Sequence, residues 1–321
     1  MTGMAYDIEA DWQLLNTCNY RCGYCFFGPE LLGEKLRVHA APAQWEAAFA
    51  ATGRIWKLHI TGGEPSLYPD FAELCARLTR RHTMSLNSNL SHPGIVRFAE
   101  AVDPARVDFV NAGFHPFERA LRGGTARFIA HARMLRARGF ALMVSIVATP
   151  EVLADFDAAA APLRAAGISP FPKALRGHWR GALYPESYTD TERRRFRGLS
   201  ARARADNRAL LDARGPGESV DFALDDDFLD GLQDFTGTAC AAGQRFVRLH
   251  GDGAVFRCST HDSLGNLLDG TLRLRGAPAP CDAAYCPYFC VRYTGAAMVQ
   301  AVAGTGSFPR AAPEAPLPAA V

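Results

Sequence analysis

Between residues 11 and 175, apolar runs of strand length alternate with stretches of helical period. The strand-like runs cover residues 12–16, 56–60, 84–87, 107–111, 141–147 and 168–175. Between them, apolar side chains recur at helical spacing, as in Trp45/Ala48/Phe49/Thr52, Phe71/Leu74/Leu78, Phe128/Ala132/Leu135 and Val152/Phe156/Leu163. Six β/α units in succession predict an α/β fold with a parallel sheet wrapped by helices, because parallel neighbours need crossover connections. Thr189-Asp-Thr-Glu192 has the spacing of a capping box and predicts a helix to about Ala213. Gly215-Pro216-Gly217 then breaks the chain. Further on, residues 246–249 and 254–257 flank His250-Gly-Asp-Gly253, a hairpin signal. The Pro- and Ala-rich segment 304–321 has no periodicity and is expected to be disordered.

Composition narrows the function by exclusion. Lys and Arg total 35 against 33 for Asp and Glu, and a net charge of +2 gives no footprint for nucleic acid. No apolar stretch is long enough to span a membrane. The first residues show neither a basic start nor an apolar export core, so a reducing cytoplasm is expected and disulfides are not.

The chemistry concentrates at strand ends. Cys18, Cys22 and Cys25 follow the first strand as C-x3-C-x2-C, three thiolates that leave one corner of a cubane iron–sulfur cluster without a protein ligand. Structural zinc would need a fourth ligand, and no His or Cys lies between Cys25 and His39. Thr61-Gly62-Gly63-Glu64-Pro65 ends the second strand. Both motifs fall at the carboxyl ends of strands, the face on which barrels of this type carry their chemistry.

In this order, the two motifs resemble those of the radical S-adenosylmethionine (SAM) superfamily. The resemblance implies a partial (β/α)6 TIM-like barrel over residues 8–185. It also implies a [4Fe-4S] cluster on Cys18, Cys22 and Cys25 with an open iron site that binds SAM. Gly62, Gly63 and Glu64 would grip the SAM amino group, with Glu64 paired to the ammonium, and Tyr24 is grouped with them as cofactor-binding. Asn87 and Asn89 would lie near the ribose and the methionine carboxylate. The alternative for these two is a polar strand-to-helix turn whose Asn side chains satisfy the backbone. Ser145, the one hydroxyl in the fifth strand, is a further ribose contact. His115, before Pro116, is either a cavity-facing acid/base or a hydrogen-bonded turn residue. The loop Lys173-Ala-Leu-Arg176-Gly-His178-Trp179-Arg180-Gly181 reads as an anion pocket or as a solvated surface. His115, Arg176 and His178 are the catalytic candidates.

The last five cysteines, Cys240, Cys258, Cys281, Cys286 and Cys290, share one segment. It resembles the auxiliary-cluster domains called SPASM and twitch, which implies one auxiliary [4Fe-4S] cluster in a small α+β domain over residues 218–292, behind a helical connector at 186–217. A closed four-sulfur site also suits zinc, and which of Cys281, Cys286 and Cys290 is spare stays open. The chemistry implied is reductive cleavage of SAM to a 5′-deoxyadenosyl radical that takes hydrogen from the substrate, with an external one-electron reductant such as flavodoxin or ferredoxin. The basic loop points to a small anionic metabolite, oxidised or epimerised. The alternatives are maturation of a ribosomal peptide and a non-catalytic zinc or iron–sulfur protein.

Overall fold

The computed structural model describes residues 6–25, 27–214, 229, 235–258 and 262–282. Six strands run parallel in chain order: β1 (Ile8–Leu15), β2 (Trp56–Gly62), β3 (Thr83–Ser88), β4 (Val107–Gly113), β5 (Leu142–Ala148) and β6 (Phe171–Ala174). They match the six apolar runs, with helices between them. The last strand is shorter than expected. Pro172 lacks the N–H that a second neighbour would need, and β6 accordingly closes one edge of the sheet.

Strand β1 shows how the sheet divides its two faces. Its residues alternate apolar and polar, and all are buried. Trp12 turns outward onto the helix Pro42–Ala51, with ring centroids 4.7 Å from Trp45 and 5.4 Å from Phe49. Glu9 turns inward, where its carboxylate meets His59 Nε2, and His59 Nδ1 lies 2.5 Å from Ser85 Oγ. Lys57 and Asp108 pair at 2.8 Å in the same buried region. At the amino ends of β4 to β6, Phe109, Met143 and Phe171 form a second core, closed by Ala203, Leu210 and Leu211.

Two predicted helices are each split. An Asp155 break separates Pro150–Ala154 from Phe156–Arg164, and the Asp155 carboxylate accepts from Ala158 N to cap the second piece. The capping box at Thr189 and Glu192 is formed, opening Asp190–Asp206. That helix stops at Asn207, whose amide donates to Ser169 O and Ala203 O, and the chain resumes as Arg208–Arg214.

The loop after β6 folds into a small hairpin of β7 (Gly177–Trp179) and β8 (Ala182–Tyr184). Then come β9 (Ala239–Cys240), β10 (Phe246–His250), β11 (Ala254–Phe256), β12 (Ser263–Asn266) and β13 (Ala279–Pro280). The expected hairpin is β10–β11, but it is not set apart from the barrel. Strand β10 pairs in parallel with β1, so the sheet has nine strands in the order β12-β11-β10-β1-β2-β3-β4-β5-β6. Cys286 and Cys290, the connector's end at 215–217 and the tail at 304–321 lie outside the described residues.

Candidate active site at the carboxyl face of the barrel

Cys18, Cys22 and Cys25 line one cavity of about 350 Å³ at the carboxyl ends of the strands. The loop carrying them is tightly wound. Cys25 N donates to Cys22 O at 2.9 Å, and Tyr20 N donates to Cys18 Sγ at 3.3 Å. Burial is the main cause that pushes the Cys18 thiol up to about 11 and Cys22 to about 12, and it raises Cys25 as well. A metal must therefore displace protons to bind. Three soft sulfurs on one wall, none in a disulfide, fit a cluster that carries each thiolate on its own iron. Among the described residues no group of three or more His, Cys, Asp or Glu is arranged to cage a metal ion.

Gly62 and Gly63 are set by this loop. A Cβ on Gly62, which has φ +137°, would lie 2.3 Å from Leu15 O, and one on Gly63 would lie 2.1 Å from Thr17 O. No side chain fits there. The close approach allows Gly63 N to donate to Leu15 O at 2.8 Å and Glu64 N to Thr17 O at 2.9 Å. The glycine pair thus fixes the chain immediately before Cys18 against the end of β2.

Glu64 lines the cavity but is only 1% exposed. Its Oε1 accepts from Ser66 N (3.1 Å), Ser66 Oγ (2.5 Å) and Ser88 Oγ (2.7 Å), and its Oε2 accepts from Asn89 N (2.7 Å). The carboxylate ties the Gly-Gly turn to the end of β3. An ammonium ion meeting it would share an acceptor already holding four donors.

The next strand ends carry a polar ladder. Asn111 Nδ2 donates to Asn87 Oδ1 at 2.8 Å, and Ser145 Oγ donates to Asn111 Oδ1 at 3.0 Å. Asn87 and Ser145 are thereby joined through Asn111, which the sequence reading did not single out, and all three line the cavity. Asn89 also lines it, while its side chain serves the turn: Oδ1 accepts from Ser91 N, and Nδ2 donates to Asn19 Oδ1 in the cysteine loop. His115 reaches the cavity beneath Gly113, with Nδ1 3.0 Å from Tyr24 OH. Burial, with Arg119 second, lowers its pKa to about 4, so the ring is neutral near pH 7. Burial also raises the Tyr24 phenol.

The basic loop divides. Lys173 and Arg176 line the cavity. His178 does not: it lies exposed on β7, because its neighbour Trp179 turns inward to pack over Gly23. Of the three catalytic candidates, His115 and Arg176 line the cavity. Arg180 is exposed and pairs with Glu151 at 2.8 Å. The cavity gains Arg248 from β10, together with Asp11 and Gln13 from β1. Arg248 Nη2 donates to Gln13 Oε1 at 2.7 Å. Period-2 polarity at Glu9, Asp11 and Gln13 was the available signal for the β1 pair; Arg248 had none, since its position depends on a pairing 235 residues apart.

At the far end of the chain, Cys240 on β9 and Cys281 just past β13 are buried on paired strands. Cys281 N donates to Thr238 O at 2.8 Å. Arg257, adjacent to Cys258, donates to Ala279 O and Pro280 O, bringing a third cysteine's backbone to the same ribbon.

Residues 12–161 match the family model "Radical SAM superfamily". The chain is 28% identical over 258 residues to a PqqA peptide cyclase of Gluconobacter oxydans, covering 77% of this chain and 68% of that protein. It is 31% identical over 162 residues to a PqqA peptide cyclase of Ruegeria pomeroyi, covering 45% and 41%. A solved structure of anSMEcpe with bound AdoMet and Kp18Cys peptide shares the fold, with TM-score 0.56 at 15% identity over 82% of this chain and 78% of that one. The expectation of a small-molecule substrate does not stand against these findings, because these two relatives are named as cyclases of a peptide. No described helix is long and apolar enough to cross a membrane. Residues 12–161 thus carry a radical SAM domain, and members of that superfamily use a [4Fe-4S] cluster and SAM.

Proposed function

We propose that this radical SAM enzyme modifies a ribosomally made peptide. The observation that carries the reading is the match to a PqqA peptide cyclase across 77% of the chain, reaching past the barrel match into the cysteine-rich segment. When bound, the reduced cluster and SAM supply a 5′-deoxyadenosyl radical able to take a hydrogen atom from a C–H bond.

The chain's own residues hold and orient. Cys18, Cys22 and Cys25 would ligate the cluster, and Gly62 and Gly63 let the end of β2 pack against the chain that leads into Cys18. Glu64 locks the turn, and the backbone carbonyls of the cavity-lining Thr61, Gly62 and Gly63 would receive the SAM ammonium. The Asn87–Asn111–Ser145 ladder offers fixed donors and acceptors to a ribose. His115, neutral and held to Tyr24, adds no charge to the cavity. The wall carries Lys173, Arg176 and Arg248 against Asp11 and a Glu64 already held by four donors, so it favours a peptide segment bearing a carboxylate. A second cavity of about 410 Å³ shares Gln13, Phe27 and Arg248 with the first and gives an extended chain room to enter. Cys240, Cys258 and Cys281 would supply ligands to an auxiliary cluster.

The test uses anaerobically reconstituted full-length protein with SAM and dithionite. It receives either the low-mass peptide fraction of its own host or the peptide-free metabolite fraction. Peptide modification predicts 5′-deoxyadenosine above background with the first, together with a new peptide mass lacking hydrogens. Stimulation by the metabolite fraction alone would reject the reading.

A further inference from the structure

Arg119 sits behind the cysteine loop on the helix Pro116–Arg122, 3% exposed and outside the cavity wall. Its guanidinium lies 4.4 Å from the ring centroid of Phe128, 5.1 Å from Phe114 and 5.5 Å from Tyr20. Nη2 donates to Asn89 O at 2.5 Å and Nη1 to Gly124 O at 3.1 Å, while Nε is buried without a hydrogen-bond partner. Glu118, its neighbour on the helix, pairs with Arg122 instead, and among the described residues Arg119 makes no ion pair.

A buried cation held by neutral carbonyls and aromatic faces is costly unless negative charge lies within reach. The groups that act on it through space are Tyr20, Glu64, Cys22 and Tyr24, in addition to burial. Glu64 is reached through a single residue, since Asn89 N donates to Glu64 while Asn89 O accepts from Arg119. Tyr20, which carries the cation on its ring, binds Cys18 Sγ through its own N–H. Arg119 therefore braces the loop of the three thiolates from the side opposite the cavity. A cluster on three thiolates is negative when oxidised and more so when reduced, and a fixed cation in a low-dielectric setting favours the more negative form.

We propose that Arg119 is a positioning residue for the cluster on Cys18, Cys22 and Cys25, set behind the loop as the counter-charge that raises the cluster's reduction potential. It touches neither SAM nor substrate, so the inference does not depend on the identity of the peptide.

The experiment compares full-length wild type with Arg119→Lys, Arg119→Gln and Arg119→Met after anaerobic reconstitution. A dithionite titration is followed by electron paramagnetic resonance, reading only the reduced signal that changes when SAM is added, because only the cluster with an open iron can bind it. In Gln and Met variants of full iron content, the reduced-to-oxidised ratio at the wild-type midpoint should fall about tenfold, equivalent to about 59 mV for a one-electron couple. Arg119→Lys should stay near wild type. An unchanged ratio in an iron-replete neutral variant overturns the proposal, as does an equal fall in the Lys variant. If neither neutral variant takes up iron at this site, uptake by Arg119→Lys supports the requirement for charge. Failure of all three overturns it and leaves Arg119 a packing residue.

Discussion

Replacing Glu64 by Ala tests whether the Gly-Gly turn is held by this carboxylate or only lined by it. The side chain is buried and accepts four hydrogen bonds, from two backbone N–H groups and two hydroxyls. The hydroxyls of Ser66 and Ser88 can rotate toward other acceptors. The N–H groups of Ser66 and Asn89 cannot, and each hydrogen bond to a charged acceptor contributes about 1.5–3 kcal/mol. Removing both therefore costs about 3–6 kcal/mol, less what is recovered because a carboxylate need no longer be desolvated. A net loss of about 3 kcal/mol is the working figure, and at about 2–4 °C per kcal/mol the melting temperature should fall by about 6–12 °C. The assay is thermal unfolding of the protein without SAM, with Glu64→Gln as a partner that keeps one acceptor oxygen. Glu64→Gln should lie between wild type and Ala. A melting temperature for Glu64→Ala within 2 °C of wild type (about 1 kcal/mol or less), alongside weakened SAM binding, would refute the reasoning and return Glu64 to a direct contact with the ammonium.

Gly63→Ala would place a Cβ 2.1 Å from Thr17 O, so it should cost at least about 3 kcal/mol and displace the cysteine loop. Iron per chain and melting temperature should both drop, and normal iron uptake would count against the packing argument. Gly198→Ala is the contrasting change, at an exposed helical position with nothing within 4 Å, and should stabilise by about 0.5–1 kcal/mol in denaturant unfolding. His82 is buried, accepts from Trp56 N through Nδ1, and is lowered to about 4, chiefly by burial. The unfolded chain then binds the extra proton between about pH 6.5 and 4, so stability is complete above that window and falls on acidification, by at most about 2 kcal/mol between pH 7 and 5. His82→Asn keeps an acceptor but cannot titrate, and it should flatten that part of the pH–stability curve; an unchanged slope would exclude His82 as a source.

The strands were legible because their outward faces are apolar. Trp12, Trp56, Leu86, Val110, Val144 and Ile146 form continuous buried contacts with the helices, and such runs survive inspection without any structure. The inward face was not, because this barrel's interior is polar along β1 and at the carboxyl ends of the strands. Glu9, Asp11 and Gln13 alternate with Ile8, Ala10 and Trp12, yet a search for apolar continuity begins only at Trp12 and discards them. Within the site, local motifs placed the cysteines and the glycines correctly on strand ends. Charge in a loop carried less information: Lys173 and Arg176 reach the cavity while His178 and Arg180 do not, and only the pairing of β7 with β8 decides which side each one takes. The substrate class lay further out of reach, since the same cations suit a free anion or an acidic residue in a peptide.

The parallel pairing of β10 with β1 changes what the C-terminal segment is to the active site. An appended domain could be removed with little effect on the barrel, but β10 covers one side of the strand that leads into Cys18. From it a line of hydrogen bonds runs across the sheet: Arg248 to Gln13, Gln13 to Asn16, and Asn16 to Glu34 at 3.0 Å. Thr17, next to Cys18, donates to the backbone carbonyl of the same Glu34 at 3.0 Å. A strand lying more than 200 residues downstream thus sets the backbone on either side of the cysteine loop. The same strand brings Arg248 into the cavity, and its hairpin leads to Cys258. Order in the auxiliary segment and order in the cluster loop are therefore parts of one sheet, and a change that loosens β10 must act on both.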